Sequence, residues 1–112
     1  MGRSYVKLDG VEKLKKAFLQ KAKLEPAKVI LRQNGAEMQQ KAMRNAPVDT
    51  GTLKRSIGLH IIDDGCTAEV EASAEYAGYV EYGTRFMAAQ PYLRPALAEQ
   101  KVQLEADLKK IL

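Results

Sequence analysis

The spacing of hydrophobic positions changes along the chain, and each change marks an element. Tyr5-Val6-Lys7-Leu8 alternates and closes on Asp9-Gly10, which reads as a short strand or extended lead-in. Val11, Leu14, Ala17 and Phe18 then recur every three or four residues with lysines between them. That spacing predicts an amphipathic helix with Asp9 as its N-cap. Glu25-Pro26 predicts a second helix start, because proline suits the first turn. Ala27, Ile30, Leu31, Met38 and Ala42 carry this helix to about Asn45. Asn45-Ala46-Pro47 ends it, since the residue before proline avoids the α region. Gly35 interrupts its middle at roughly 1 kcal/mol against alanine, a mark of close packing or of a slight bend.

Pro47 to Thr52 is a loop by composition, and Asp49 or Thr50 is placed to cap a helical turn from Leu53 to Ser56. Ile57 to Asp63 alternates, with Ile57, Leu59 and Ile61 on one face and Gly58, His60 and Ile62 on the other. Cys66, Ala68, Val70 and Ala72 alternate as inward residues against Thr67, Glu69 and Glu71. Joined by Asp63-Asp64-Gly65, the two runs predict an antiparallel hairpin at 57–72. Tyr76, Tyr79 and Tyr82 lie three apart and predict a short helix before a turn at Gly83-Thr84. Met87 to Gln90 reads as a linker. Pro91-Tyr92-Leu93-Arg94-Pro95 opens a last helix with the stripe Leu93, Ala96, Leu97, Leu104, Leu108 and Ile111. The expected fold is α+β: two N-terminal helices, a small antiparallel sheet built on the 57–72 hairpin, and a C-terminal helix. It forms one domain over residues 1–112, with a flexible N-terminal segment 1–10.

At 112 residues the core is modest, so a partner subunit would add stability. The single cysteine, Cys66, excludes an internal disulfide framework and a cysteine-rich zinc site. It reads as a small buried thiol in a reducing compartment. Residues 1–10 lack the apolar core of a secretory signal, and no apolar run approaches a membrane span. The net charge of +4 is unevenly spread. Residues 1–46 hold eleven Lys and Arg against four acids, whereas residues 47–112 hold seven against ten. This asymmetry fits head-to-tail contact between identical subunits, or simply two solvated faces.

Candidate chemistry is sparse. His60 is the only histidine and sits in an alternating strand, so it cannot build a metal site alone. Asp63 and Asp64 belong to a turn, where Asp serves the backbone. Glu69 and Glu71 share a solvated strand face. The glycines fit no phosphate-binding pattern. No catalytic constellation, cofactor site or metal site is expected. The basic N-terminal half leaves a nucleic-acid-binding module as the alternative, although its lysines interleave with core positions and not with aromatics. A small hydrolase is a weaker alternative still.

Two stretches resemble one known family. The first runs Ala46-Pro47-Val48-Asp49-Thr50-Gly51-Thr52-Leu53-Lys54-Arg55-Ser56-Ile57. The second runs Tyr76-Ala77-Gly78-Tyr79-Val80-Glu81-Tyr82-Gly83-Thr84-Arg85 and resumes at Met87-Ala88-Ala89-Gln90-Pro91-Tyr92-Leu93-Arg94-Pro95-Ala96. In this order they resemble the small neck or minor tail-component proteins of long-tailed bacteriophages, related in role to the tail-completion protein of lambda. The resemblance spans about residues 26–112, and Tyr92 stands where phenylalanine is common. It implies a structural virion protein, assembled in the host bacterial cytoplasm, in a ring coaxial with the DNA channel at the head–tail junction. Sixfold or twelvefold self-association, contact with other neck and tail proteins, passage of DNA without specific recognition, and no membrane are the implied partners.

Within the motif, Pro47, Asp49, Thr50, Gly51, Gly83, Pro91 and Pro95 are read as structural. Gly51 and Gly83 would supply positive φ, and Asp49 and Thr50 would bond nearby amides. Arg85, Phe86, Met87, Tyr92 and Arg94 are read as the interface. Tyr79 is expected in the core, and Gly83 to Gln90 is expected to be mobile until it docks.

Overall fold

A computed structural model describes residues 3–47 and 51–112. The described chain runs β1 (Ser4–Asp9), α1 (Lys15–Leu19), α2 (Lys21–Asn45), α3 (Thr52–Arg55), β2 (Ile57–Ile62), β3 (Thr67–Ala72), α4 (Ala77–Tyr82) and α5 (Leu93–Lys109). The α+β class and the hairpin stand as expected. The sheet is antiparallel in the order β1-β3-β2. The turn between β2 and β3 carries positive φ at Asp63, Asp64 and Gly65, conformations that Asp and Gly adopt more readily than other residues.

Register explains how the sheet meets the helices. Three rows face inward: Ser4–Ala72–Ile57, Val6–Val70–Leu59 and Leu8–Ala68–Ile61. The central strand contributes only small residues to these rows, so α2 approaches closely. Gly35 marks the nearest point, where an added Cβ would lie 2.8 Å from the Ala68 Cβ and 3.1 Å from Leu59 Cδ1. The glycine therefore reflects close packing. The outer rows hold Lys7–Glu69–His60 and Tyr5–Glu71–Gly58, opposite charges facing across strands. His60 and the two glutamates thus belong to the outer sheet face.

The N-terminal alternation forms the short strand expected of it, and the helix starts that follow differ from the sequence reading. Ser4–Asp9 is paired with β3 along its whole length, because alternating Ser4, Val6 and Leu8 find the inward face that β3 presents. Asp9 caps a turn and not a helix: its Oδ1 accepts the Val11 N–H at 2.9 Å, and the N-cap of α1 is Leu14. Pro26 lies inside α2 and not in its first turn. Lys21-Ala22-Lys23-Leu24-Glu25 are good helix formers, so the helix starts earlier. The bond lost at Pro26 falls on an exposed side of the helix.

α2 and α5 pack side by side around Leu31, Met38, Leu93, Ala96, Leu104 and Leu108. Their interface also buries a polar group. The Gln100 amide donates to Asn34 Oδ1 at 2.6 Å and to Glu37 Oε2 at 2.8 Å, and the Asn34 amide donates to Asp107 Oδ2 at 3.1 Å. Such a network fixes helix register, because any slip leaves buried polar atoms unpaired. This pairing also mixes the charges of the two sequence halves. Lys13–Glu105, Lys41–Glu99 and Arg3–Glu71 each join a base from the first half to an acid from the second. The charge asymmetry of the sequence is therefore not a division of the molecule into two poles. The particle is elongated, 51 × 21 × 20 Å, with a radius of gyration of 15.2 Å against about 13 Å for a compact chain of this length.

Candidate assembly interface

The second motif folds into a clasp between α4 and the start of α5. Its centre is Glu81, a buried carboxylate. Glu81 Oε1 accepts the backbone N–H groups of Tyr92 and Leu93 at 3.1 and 2.8 Å. Oε2 accepts the backbone N–H and the Nε of Arg94 at 3.2 and 2.9 Å. Arg94 Nη2 returns to the Glu81 carbonyl at 2.8 Å. The first N–H groups of a helix have no partner within it, and an anion there also meets the positive end of the helix dipole. One side chain thus caps α5 and anchors α4 to it. Pro95 is the third residue of α5 and needs no donor there.

Tyr92 is core, which corrects the interface reading. It is 0% exposed. Its hydroxyl donates to the Ala77 carbonyl at 3.2 Å, and its own carbonyl accepts from the Asn45 amide at 3.4 Å. Burial raises the Tyr92 phenol pKa well above the usual tyrosine value, and the Glu81 carboxylate adds to the rise, followed by Tyr76 and Tyr82. Position in the sequence misled here: the residue before a helix seemed free to point outward, but it follows exposed Pro91 straight into the gap between α4 and α2. Arg94 is likewise part of the clasp, with its guanidinium 4.8 Å from the Tyr82 ring centre.

Tyr79 is corrected in the opposite sense. It is 41% exposed, and Tyr76 and Tyr82 are exposed beside it. The inward residues of α4 are Ala77, Gly78 and Glu81, so the three tyrosines form an outer stripe.

Beyond α4 the chain makes a tied turn, where a mobile segment was expected. The Thr84 N–H donates to the Met87 carbonyl at 2.9 Å, the Met87 N–H returns to Thr84, and the Phe86 N–H donates to Thr84 Oγ1 at 3.1 Å. The Gln90 N–H closes the far side on the Val80 carbonyl at 2.8 Å. Gly83 has φ +78°, and a Cβ there would lie 2.7 Å from the Ala89 nitrogen, so only glycine fits. At the tip, Phe86 is 85% exposed, with the Arg85 guanidinium 4.7 Å from its ring centre and Met87 partly exposed beside it. Of the expected interface residues, the fold therefore brings Arg85, Phe86 and Met87 to the surface, leaves the Arg94 side chain half exposed and buries Tyr92, while Tyr76, Tyr79 and Tyr82 are exposed in the preceding segment.

The first motif is described in part. Pro47 follows the end of α2, and Gly51 has φ +75° at the start of α3. Asp49 and Thr50 lie outside the described residues. Among the described residues no group of three or more His, Cys, Asp or Glu side chains is placed to hold a metal ion. Among the described residues no helix is long and apolar enough to cross a membrane. Cys66 is buried, and burial raises its thiol pKa.

Sequence reasoning missed Glu81 and Gln100. Gln100 carried a signal, since it stands four residues from both Ala96 and Leu104 in the apolar stripe. Glu81 carried none, because a glutamate between two tyrosines of an amphipathic turn reads as solvated.

No curated protein and no solved structure matches the chain. The model of the family described as "Bacteriophage HK97-gp10, putative tail-component" matches residues 8–83. The match starts earlier than the resemblance seen in the sequence and stops at Gly83, so it takes in the end of β1 and all of α1 and omits the turn after α4 and the whole of α5. Because it covers more than half of the chain, through α2, β2, β3 and the tyrosine helix, this protein belongs to the HK97-gp10-like family of bacteriophage tail components.

Proposed function

We propose that the chain is a structural subunit of the neck or tail-completion ring of a tailed phage or prophage, with no catalytic role. In this reading copies associate around the tail axis in sixfold or twelvefold symmetry, contact other neck and tail proteins, and surround the DNA without recognising its sequence. The subunit is built in the host cytoplasm and stays in the virion.

The observation that carries the proposal is the clasped turn. An exposed phenylalanine on a turn held by four hydrogen bonds loses little freedom on docking, which favours a protein contact. The three exposed tyrosines of the preceding segment are amphipathic side chains of the kind enriched at interface centres. The family match to a tail component supports the same reading.

Deleting the gene from its phage and viewing the lysate by electron microscopy tests this. Filled heads and tails that fail to join, or tails of uncontrolled ends, are expected. Normal infectious particles would refute the proposal.

A further inference from the structure

The sheet has two edges, β1 on one side and β2 on the other, and they differ. The Ser73 N–H donates to the Ser56 carbonyl at 3.2 Å. Alternation then turns the main-chain groups of Gly58, His60 and Ile62 toward β3 and those of Ile57, Leu59 and Ile61 away from it. The Gln39 amide reaches the Ile57 carbonyl at 3.1 Å. Among the described residues nothing bonds the N–H or C=O of Leu59 or Ile61. Edge strands are ordinarily guarded by charge, proline, a bulge or a covering element. β1 carries Lys7 and Asp9, and α5 packs against it. β2, Ile57-Gly58-Leu59-His60-Ile61-Ile62, holds no Lys, Arg, Asp, Glu or Pro and pairs with β3 without a bulge.

We infer that β2 pairs antiparallel with β2 of a second copy, centred on Leu59, and so joins two three-stranded sheets into one. A two-fold axis perpendicular to the sheet sets Leu59 opposite Leu59 of the second copy, and Ile57 opposite its Ile61. The free N–H and C=O groups then meet one another. The inner row Val6–Val70–Leu59 continues into its own symmetry copy, apolar throughout. On the outer face Gly58 falls opposite His60 of the second copy. Gly58 is open there, since an added Cβ would meet only the His60 imidazole of its own chain, at 4.0 Å. The incoming imidazole therefore has room. Beyond Gly58 in the same row lies Glu71, whose carboxylate already stands 3.9 Å from its own His60. The second histidine comes beside that carboxylate.

A second copy is favoured as occupant because the strand is complementary to itself in this register. Small faces large on the outer side, apolar faces apolar inside, and no like charges oppose. β1 of a second copy would instead bring the charges of Lys7 and Asp9 and the helix packed on it. The two-fold contact closes at two copies. It concerns the free subunit, does not rest on the ring proposed above, and leaves the Phe86 turn for other partners.

Disulfide trapping in the full chain tests the register. Positions 58 and 60 would form a non-hydrogen-bonded pair, about 4.5 Å between Cα atoms, within reach of a disulfide. Cys66 is buried, so the engineered thiols report the contact. Gly58→Cys mixed with His60→Cys under oxidation should give a linked dimer. Either protein alone should give far less, because like positions lie roughly 7–8 Å apart. The Leu59 and Ile61 amides should gain protection from hydrogen exchange as rising concentration takes the sedimenting species from monomer to dimer. Leu59→Pro removes the central donor while its nitrogen faces away from β3, and should weaken dimerisation roughly tenfold or more.

A chain that stays monomeric at every concentration would overturn the inference. So would dimers whose Leu59 and Ile61 amides exchange as fast as in the monomer, or dimers that link no better in the mixture than in either protein alone. Protection that appears only with another virion protein would give the edge a different occupant and overturn it too. The electron microscopy of the deletion phage judges the tail role separately.

Discussion

Replacing Glu81 with alanine removes the acceptor for three backbone N–H groups and for the Arg94 side chain. Each buried N–H left without a partner costs about 1–3 kcal/mol. The losses do not add in full, because Arg94 is half exposed and water can reach it. Breaking one member of a buried charged pair typically costs about 3–5 kcal/mol, and that is the range expected for Glu81→Ala. A domain of this size has about 5–15 kcal/mol in total. At roughly 4 °C per kcal/mol the melting temperature should fall by about 12–20 °C. Glu81→Gln keeps one acceptor oxygen and should fall between wild type and alanine. Thermal unfolding followed by circular dichroism gives all three values. An alanine variant melting within about 3 °C of wild type would refute the clasp as a stabilising device.

Other substitutions separate core from surface. Phe86→Ala should change stability by less than about 0.5 kcal/mol yet abolish assembly, whereas Tyr92→Ala should lose about 3–5 kcal/mol of folding stability; chemical denaturation beside a head–tail joining assay distinguishes them. Tyr92→Phe should cost about 1 kcal/mol, one hydrogen bond. The raised Tyr92 phenol also sets an alkaline limit: its contribution is intact below about pH 10, the ordinary tyrosine value, and is lost as pH rises toward the folded value. Melting temperature measured against pH should therefore fall less steeply above that point in Tyr92→Phe. Gly35→Val should destabilise by about 1–3 kcal/mol through overpacking on Ala68, measured by the shift in urea midpoint.

The fold was legible wherever periodicity governs it. The 57–72 hairpin follows from alternation and an Asp-Gly turn, and the long helices from three-and-four spacing. What stayed hidden depends on contacts distant in sequence. Nothing in Tyr5-Val6-Lys7-Leu8 states that its partner is β3, more than 55 residues away. Pro26 misplaced a helix start because the flanking propensities outweigh one lost hydrogen bond. The site was legible as a motif and not as geometry. Phe86 was assigned to the surface because it sits in a turn, and it is there. Tyr92 and Tyr79 exchanged roles because Glu81 draws the start of α5 against α4, which buries the first and leaves the second outside.

The central claim, that this chain is a structural component of a phage tail, is tested most directly by quantitative mass spectrometry of purified particles. The chain should be present in every virion at a fixed copy number that is a multiple of six relative to the single tail. Its absence from purified, infectious particles would rule out a structural role in the tail.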